Sequence, residues 1–477
     1  MTTPRRPALD RRAFLRHGLG GLGAAALTSL FARDGAAAGP PGPHLAPKAR
    51  RAIWLFMGGG PSQVDLFDYK PGLAARFNQD LPESVLKGQR ITGMTSEQER
   101  LPLAPSRFAF QQVGQSGAWV SELLPHTQRV VDKLAIIKTM STESLNHELG
   151  MSNINTGSQL PGKPSLGAWL SYGLGRIQDD VPSYVVMTSS FSTTQSVQPI
   201  PTRLWGSAFL PAEHGGIPMR GVGDPVLFLP NPPGVSPASR RAMLDAVGGL
   251  NALAAQQLND PIINQRTAQY ELAFRMQSSV PGLTDLSQES ASTLALYGDQ
   301  AGVPGTFAAN CVSARRMLEK GVRFVQIYHR GWDSHYDTPE CHSAQCQDID
   351  QACYGLLTDL EQRGLLEDTL VIWGGEFGRT VYCQGELTQQ NYGRDHHPYC
   401  FTMWLAGGGV RPGIVHGETD DFSFNIVSGE VPLRDLHATI LHLFGLNPNR
   451  LTYLHNGLAE KLTGVGAPAR VVSELLA

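Results

Sequence analysis

Asp368–Thr380 reads DTLVIWGGEFGRT, and Gly393-Arg394-Asp395-His396-His397 follows shortly after. The run from Thr369 to Trp373 is apolar and β-branched, and it breaks at Gly374 and Gly375 just before a carboxylate. A short apolar run bounded by glycines reads as a strand buried on both faces, the kind found in parallel sheets covered by helices. Such sheets carry their functional groups in loops at the C-terminal edge of the strands. Glu376 is therefore delivered to that edge, with Asp395, His396 and His397 as companions in a candidate ligand group.

Outward from this stretch the same strand type recurs. Ala52–Met57 (AIWLFM) runs into Gly58-Gly59-Gly60, and Leu134–Lys138, Tyr184–Met187, Val322–Tyr328 and Phe401–Leu405 are alike. Helical periodicity fills the intervals over Arg240–Gln277, Phe307–Lys320 and Asp348–Arg363. Asp435 reads as the N-cap of LHATILHLFG and Gly445 as its stop, with His442 in the core. The alternation predicts an α/β fold, a mostly parallel central sheet with helices on both faces. Residues 50–465 read as one domain, 466–477 as a C-terminal tail and the Pro-rich 39–49 as a linker.

With 41% hydrophobic and 17% charged residues in 477, the chain has ample core and is not intrinsically disordered. Its formal net charge of −3 offers no basic field for nucleic acid or an acidic membrane.

The N-terminus reads as a targeting segment over 1–38. Arg11-Arg12-Ala13-Phe14-Leu15 precedes a Gly/Ala-rich run from Gly18 to Phe31 and the small residues Ala36-Ala37-Ala38, the order of a twin-arginine signal peptide. That export machinery carries folded proteins, so a cofactor loaded in the cytoplasm travels along. The expected location is periplasmic or extracellular. No apolar stretch elsewhere reaches the roughly 20 residues of a transmembrane span. Six cysteines, at 311, 341, 346, 353, 383 and 400, lack the spacing of a zinc-thiolate site. Cys341 is near enough in sequence to pair with Cys346 or Cys353, whereas Cys353 on an apolar helix face also reads as a buried free thiol.

Four loops past predicted strands carry ionisable groups: Ser62, Asp65 and Asp68; Thr142 to Glu148, with Ser144 and His147; His329 to His335, with Asp333; and the Glu376 and Asp395-His396-His397 region. In a parallel sheet these loops share one edge. Carboxylates and imidazoles meeting there suit one or two divalent cations, zinc, manganese, calcium or magnesium. Each group also has a plainer reading. Asp-x-His pairs arise by chance, His396-His397 can cap carbonyls, and Asp68 suits a turn or an ion pair. Arg379 can pair with Glu376 or clamp an anionic ester.

The sequence resembles the DUF1501 proteins through GGGPSQVDLFDYKP, SELLPHT, NHELGMSNINTG, PSLGAWLSYGLG, YELAFRMQ, ARRMLEKGVRFVQIYHRGWDSHYD, RGLLEDTLVIWGGEFGRT, GRDHHPYCFTMWLAGGGVRPG and DLHATILHLFGL, nearly everything after the signal. The resemblance implies an alkaline phosphatase-like fold within the alkaline phosphatase and sulfatase superfamily. It implies metal ligation by Asp65, Asp333, His335, Glu376 and His396 or His397, with Glu376 in place of the usual aspartate. Phe377 stands where the family pattern has an adjacent histidine, so one metal site is depleted unless His147 or the second histidine of the pair substitutes. Thr142 or Ser144 is implied as nucleophile, and the absence of Cys-x-Pro-x-Arg argues against the formylglycine of ordinary sulfatases.

The expected function is an exported, metal-dependent hydrolase of phosphate or sulfate esters. Its substrate would be an anionic ester, free or within a sulfated or phosphorylated polymer, with Arg379 or Arg394 offsetting charge developed during in-line attack. The alternative is a non-catalytic exported binding or scaffold protein that keeps the hydrolase fold.

Overall fold

The computed structural model describes residues 41–193, 197–226, 230–258, 261–464, 466 and 468–477, so the expected signal segment 1–38 lies outside the described residues. The strands that position the site are β1 Arg51–Gly58, β2 Leu134–Ser141, β3 Tyr184–Thr188, β4 Ile217–Met219, β5 Phe324–Arg330, β6 Thr369–Gly374, β7 Gly378–Gln384, β8 Gly393–His397, β9 Phe401–Ala406, β10 Ile414–His416 and β11 Val431–Pro432. The helices used below are α1 His147–Thr156, α2 Leu166–Leu174, α3 Pro237–Leu258, α4 Pro261–Ser279, α5 Phe307–Glu319, α6 Thr338–Gln362 and α7 Leu433–Leu443.

The central sheet runs β10-β2-β9-β6-β1-β5-β3-β4, with β11 beside β2. β1 lies between β5 and β6 and is parallel to both, so that Leu55 faces Ile327 on one side and Trp373 on the other. Because successive strand residues point to opposite faces, β1 feeds two cores. Ile53, Leu55 and Met57 join Val312 and Leu356 on one face, and Trp54 and Phe56 join Trp169 and Ile440 on the other. The sheet is mostly parallel, as expected, and β9 is the exception: it runs antiparallel to both β2 and β6.

The helical pattern over Arg240–Gln277 divides into α3 and α4, and α6 begins at Thr338, well ahead of Asp348. Asp435 is not an N-cap. Pro432 holds that position, Asp435 lies in the first turn, and its carboxylate accepts the Arg470 N–H at 2.9 Å. Gly445 ends the helix as read, with φ +75° and its N–H donating to the His442 carbonyl at 2.8 Å. His442 itself is half-buried rather than core. All six cysteines are free and buried. Cys341, Cys346 and Cys353 ride on one helix, whose rise and rotation hold them apart.

Both ends of the described chain dock. In the expected linker, the Gly42 N–H reaches the Gly173 carbonyl and the Ala49 N–H that of Leu443, each at 2.9 Å. In the tail, Val472 and Leu475 are buried in the second core. Among the described residues, no helix is long and apolar enough to cross a membrane.

Candidate metal centre

The site grows out of the C-terminal edge of the sheet. β1, β5 and β6 are parallel, so Gly59, Asp333 and Glu376 leave it on the same side. β2 shares that direction and is followed there by α1, whose first residue is His147; the Asn146 side chain caps this helix by accepting the Leu149 N–H. The reversal of β9 brings its N-terminal end to the same edge, and with it His396 from β8. Gly59, at φ +119°, is required by close approach: a Cβ there would stand 2.5 Å from the Asp333 backbone N. Its N–H donates to the Glu376 carboxylate at 3.0 Å.

His147, Asp333, His335 and His396 come together, each offering one ligand atom and all four atoms lying within 4.8 Å of one another. Asp333 Oδ1 lies 3.0 Å from His147 Nε2, 3.0 Å from His335 Nε2 and 3.5 Å from His396 Nε2. The other nitrogen of each ring is occupied. Nδ1 of His147 stands 2.6 Å from Glu376 Oε1, that of His335 2.6 Å from Gln384 Oε1, and that of His396 2.8 Å from the Leu145 carbonyl. An acceptor behind each Nδ1 places the proton there, leaving a lone pair on Nε2 aimed inward. Among the described residues, the buried Nε2 atoms of His147 and His396 have no hydrogen-bond partner. Imidazole lone pairs turned toward a carboxylate form a donor set that a divalent cation with nitrogen and oxygen ligands fits.

Electrostatics around the centre are strong. Burial alone would raise the Asp333 carboxyl, but Arg379 and the histidines outweigh it and hold Asp333 well below the carboxylate range. Burial would lower His147, yet the carboxylates of Asp333 and Glu376 raise it. Burial pushes His396 down to about 3 against the pull of Asp333. Arg379 donates to Asp333 Oδ1 at 2.8 Å and to the Gly60 carbonyl at 3.0 Å. It therefore pairs with Asp333, not with Glu376.

The remaining expected residues stand elsewhere. Glu376 lies one step behind His147 as its hydrogen-bond acceptor rather than in the donor set. Asp65 is outside the cluster: fully buried, it pairs with Arg394 at 2.7 Å and accepts the Tyr392 hydroxyl at 2.7 Å. Arg394 spends its other N–H groups on the Thr380 and Ala104 carbonyls, so its charge faces Asp65 and not a substrate. Asp395 accepts the Thr92 and Thr95 hydroxyls, each at 2.5 Å. His397 Nε2 faces the Phe424 carbonyl at 2.8 Å. Asp68 is bridged by Lys70 and Lys138, each at 3.3 Å. Thr142 accepts Asn153 Nδ2 at 3.1 Å, whereas the buried Ser144 Oγ has no partner among the described residues.

The sequence gives no signal for the outer supports. Gln384 orients His335, and Gln198 donates to Asp333 Oδ2 at 2.8 Å from a distant loop. Phe377 packs its ring against both His147 and His396, with centroids 4.9 and 4.6 Å away, so an apolar residue here stiffens two imidazoles.

Solved structures similar to this chain include a phosphonate monoester hydrolase from Silicibacter pomeroyi (10% identity, 70% of each chain covered, TM-score 0.32). Two others are an alkaline phosphatase from the Antarctic bacterium TAB5 (11% identity, 84% of this chain and 99% of that one, TM-score 0.33) and the PsFucS1 sulfatase from Pseudoalteromonas sp. (13% identity, 89% and 70%, TM-score 0.32). A sequence search of curated proteins finds no match. The profile described as "Protein of unknown function (DUF1501)" matches residues 49–476, and the chain belongs to the DUF1501 family.

Proposed function

We propose that this protein is a metal-dependent hydrolase of phosphate or sulfate esters, exported by the twin-arginine route to work in the periplasm or outside the cell. The observation that carries the reading is the convergence of three Nδ1-anchored imidazoles on Asp333. His147, Asp333, His335 and His396 would hold the cation. Three nitrogens and one carboxylate suit zinc or manganese better than the all-oxygen preference of calcium and magnesium. When bound, such an ion polarises an ester oxygen and lowers the pKa of a hydroxyl or water.

The chain's own residues divide the remaining work. Glu376, Gln384 and the Leu145 carbonyl keep the Nδ1 protons in place and the rings oriented. Arg379 keeps Asp333 ionised. Ser144 is the better nucleophile of the two hydroxyls, since Thr142 is already engaged, whereas Ser144 Oγ has no partner among the described residues and adjoins Leu145, whose carbonyl anchors His396. The motif resemblance to the alkaline phosphatase and sulfatase superfamily supports the choice of ester.

The test is elemental analysis of protein isolated with its native metal, followed by hydrolysis of 4-nitrophenyl phosphate and 4-nitrophenyl sulfate before and after chelation. The reading expects a bound divalent ion, turnover of one ester, loss on chelation and recovery with zinc or manganese. Absence of any bound cation together with no turnover under every divalent ion would overturn it. A bound ion without turnover would favour the exported binding protein instead. Replacing Arg11 and Arg12 by lysine should leave the protein in the cytoplasm on fractionation.

A further inference from the structure

Past the end of β5, on the stretch that leads to Asp333, is a cavity of about 480 Å3 whose wall carries Arg220 and Arg330. We propose that it is a subsite for a second anionic group, borne on a sugar-like ring of the substrate and held by Arg220 and Arg330 against Phe191 and Trp205. The assignment rests on the ester-hydrolase reading of the neighbouring centre and names the class of ester: one with a further sulfate, phosphate or carboxylate.

Arg330 ends β5 and lies over the Phe191 ring, its guanidinium carbon 5.5 Å from the centroid. Among the described residues its buried Nε has no hydrogen-bond partner. Arg220 lines the same wall from an exposed position just past β4. Among the described residues neither side chain takes a salt bridge, in contrast to Arg379, Arg394 and Arg315, each of which meets a carboxylate. Acids in the vicinity are committed elsewhere. Asp348 accepts the Ser192 N–H and hydroxyl at 2.7 and 2.6 Å, and Asp285, which shares a second cavity of about 430 Å3 with Arg220 without an ion pair to it, accepts the Ser287 N–H at 2.9 Å. Two guanidiniums without a salt bridge on a concave wall favour an anion there, and a planar fork matches sulfate, phosphate or carboxylate in two parallel hydrogen bonds. Phe191 and Trp205 add ring faces and Thr188 adds a hydroxyl, the mixture that suits a polyol ring carrying an anion.

The cavity and the centre are joined through the chain. Arg330 precedes Asp333 by three residues, which limits their Cα separation to about 11 Å. Gln198, seven residues beyond Phe191 in sequence, donates to Asp333. Gly331, at φ +100°, lets Thr193 pack against the turn, because a Cβ there would stand 2.4 Å from Thr193 Cγ2. On this proposal a substrate whose ester reaches the imidazoles would extend its next group toward the two arginines.

Binding, rather than turnover, tests the subsite, so an inactive centre still gives an answer. Calorimetric titration of the protein as purified would compare a multiply sulfated disaccharide with its unsulfated parent. The sulfated sugar should bind at least about tenfold more tightly, and Arg220→Ala and Arg330→Ala should each weaken it by roughly tenfold while leaving the parent sugar unaffected. Arg220 is exposed, so its removal should leave the melting temperature unchanged and keep the test readable if Arg330→Ala folds poorly. Equal affinity for the two sugars, no binding of either, or wild-type affinity in Arg220→Ala would overturn the subsite whatever the 4-nitrophenyl esters report.

Discussion

Glu376 backs His147: its Oε1 lies 2.6 Å from the imidazole Nδ1, while Nε2 of the same ring sits 3.0 Å from Asp333 Oδ1. The carboxylate is fully buried, and its charge is shared between this ring and the Gly59 N–H. A carboxylate behind a ligating histidine fixes the tautomer and raises the basicity of the nitrogen that faces the metal. Glu376→Ala should therefore weaken metal affinity by roughly 10- to 100-fold, read by competition with a chromophoric chelator. Glu376→Gln, which keeps an acceptor, should lose less. Equal affinity in wild type and Glu376→Ala would show that His147 needs no such support.

Asp65 tests the separation of scaffold from site. Burial alone would raise its carboxyl, but Arg394 and the Ser62 hydroxyl outweigh burial and bring it down from 3.8 to about 2. A depressed folded pKa means stability that is fully present above about pH 4 and is lost as pH falls toward 2, amounting to roughly 2 to 3 kcal/mol. Urea unfolding of the wild type at pH 5, 4 and 3 should show this fall, and Asp65→Asn should flatten it. Because removing one partner leaves Arg394 buried and uncompensated, Asp65→Asn should cost about 3 to 5 kcal/mol at neutral pH. Its metal content should nevertheless match the wild type.

Much of this arrangement was legible in the chain. Apolar strands ending in glycines announced a parallel sheet and the edge where Glu376, Asp333 and His147 emerge. The reversal of β9 was not legible, since a fully buried strand has the same pattern in either direction. Nor was the fate of Asp65, because it and Asp333 both follow apolar strands, and only the fold decides which meets imidazoles and which meets Arg394. Gln198 and Gln384 are ordinary polar residues in sequence. They become supports only through contacts made across 135 and 49 residues.

Gly150 lies on α1 facing the site, and a Cβ there would come within 3.2 Å of both Glu376 Cγ and the Phe377 ring. These are side-chain atoms that can yield by a few tenths of an ångström. Alanine also favours a helix interior by about 1 kcal/mol over glycine. Gly150→Ala should thus change the melting temperature little while reducing metal affinity severalfold through the displaced Glu376. Gly59→Ala meets backbone in a left-handed conformation and should fail to accumulate as folded protein, judged by soluble yield and circular dichroism.

All six thiols are buried, and burial raises those of Cys311 and Cys341, the second to about 11. Thiols held protonated and out of solvent react slowly. Titration with a thiol-specific chromogenic disulfide should find essentially none in the native protein and six after denaturation. Reducing agent should leave the melting temperature where it was, and a drop would reveal a disulfide.

The adjacent histidines of β8 give the sharpest separation of ligand from scaffold. His396 has its Nδ1 tied to the Leu145 carbonyl and its Nε2 unpartnered and facing Asp333. His397 points the other way, as strand alternation requires, stacked on Phe424 with ring centroids 4.2 Å apart and its Nε2 against the Phe424 carbonyl. His396→Ala should abolish stoichiometric metal binding, and with it the stabilisation that a tight ligand confers, roughly 3 kcal/mol when free metal is about 100 times Kd. His397→Ala should retain metal yet lose about 2 to 4 kcal/mol from the cavity it opens. Elemental analysis and thermal melts with and without added zinc separate the two effects. A His397→Ala protein devoid of metal, beside a His396→Ala protein that keeps it, would exchange the roles assigned to the pair.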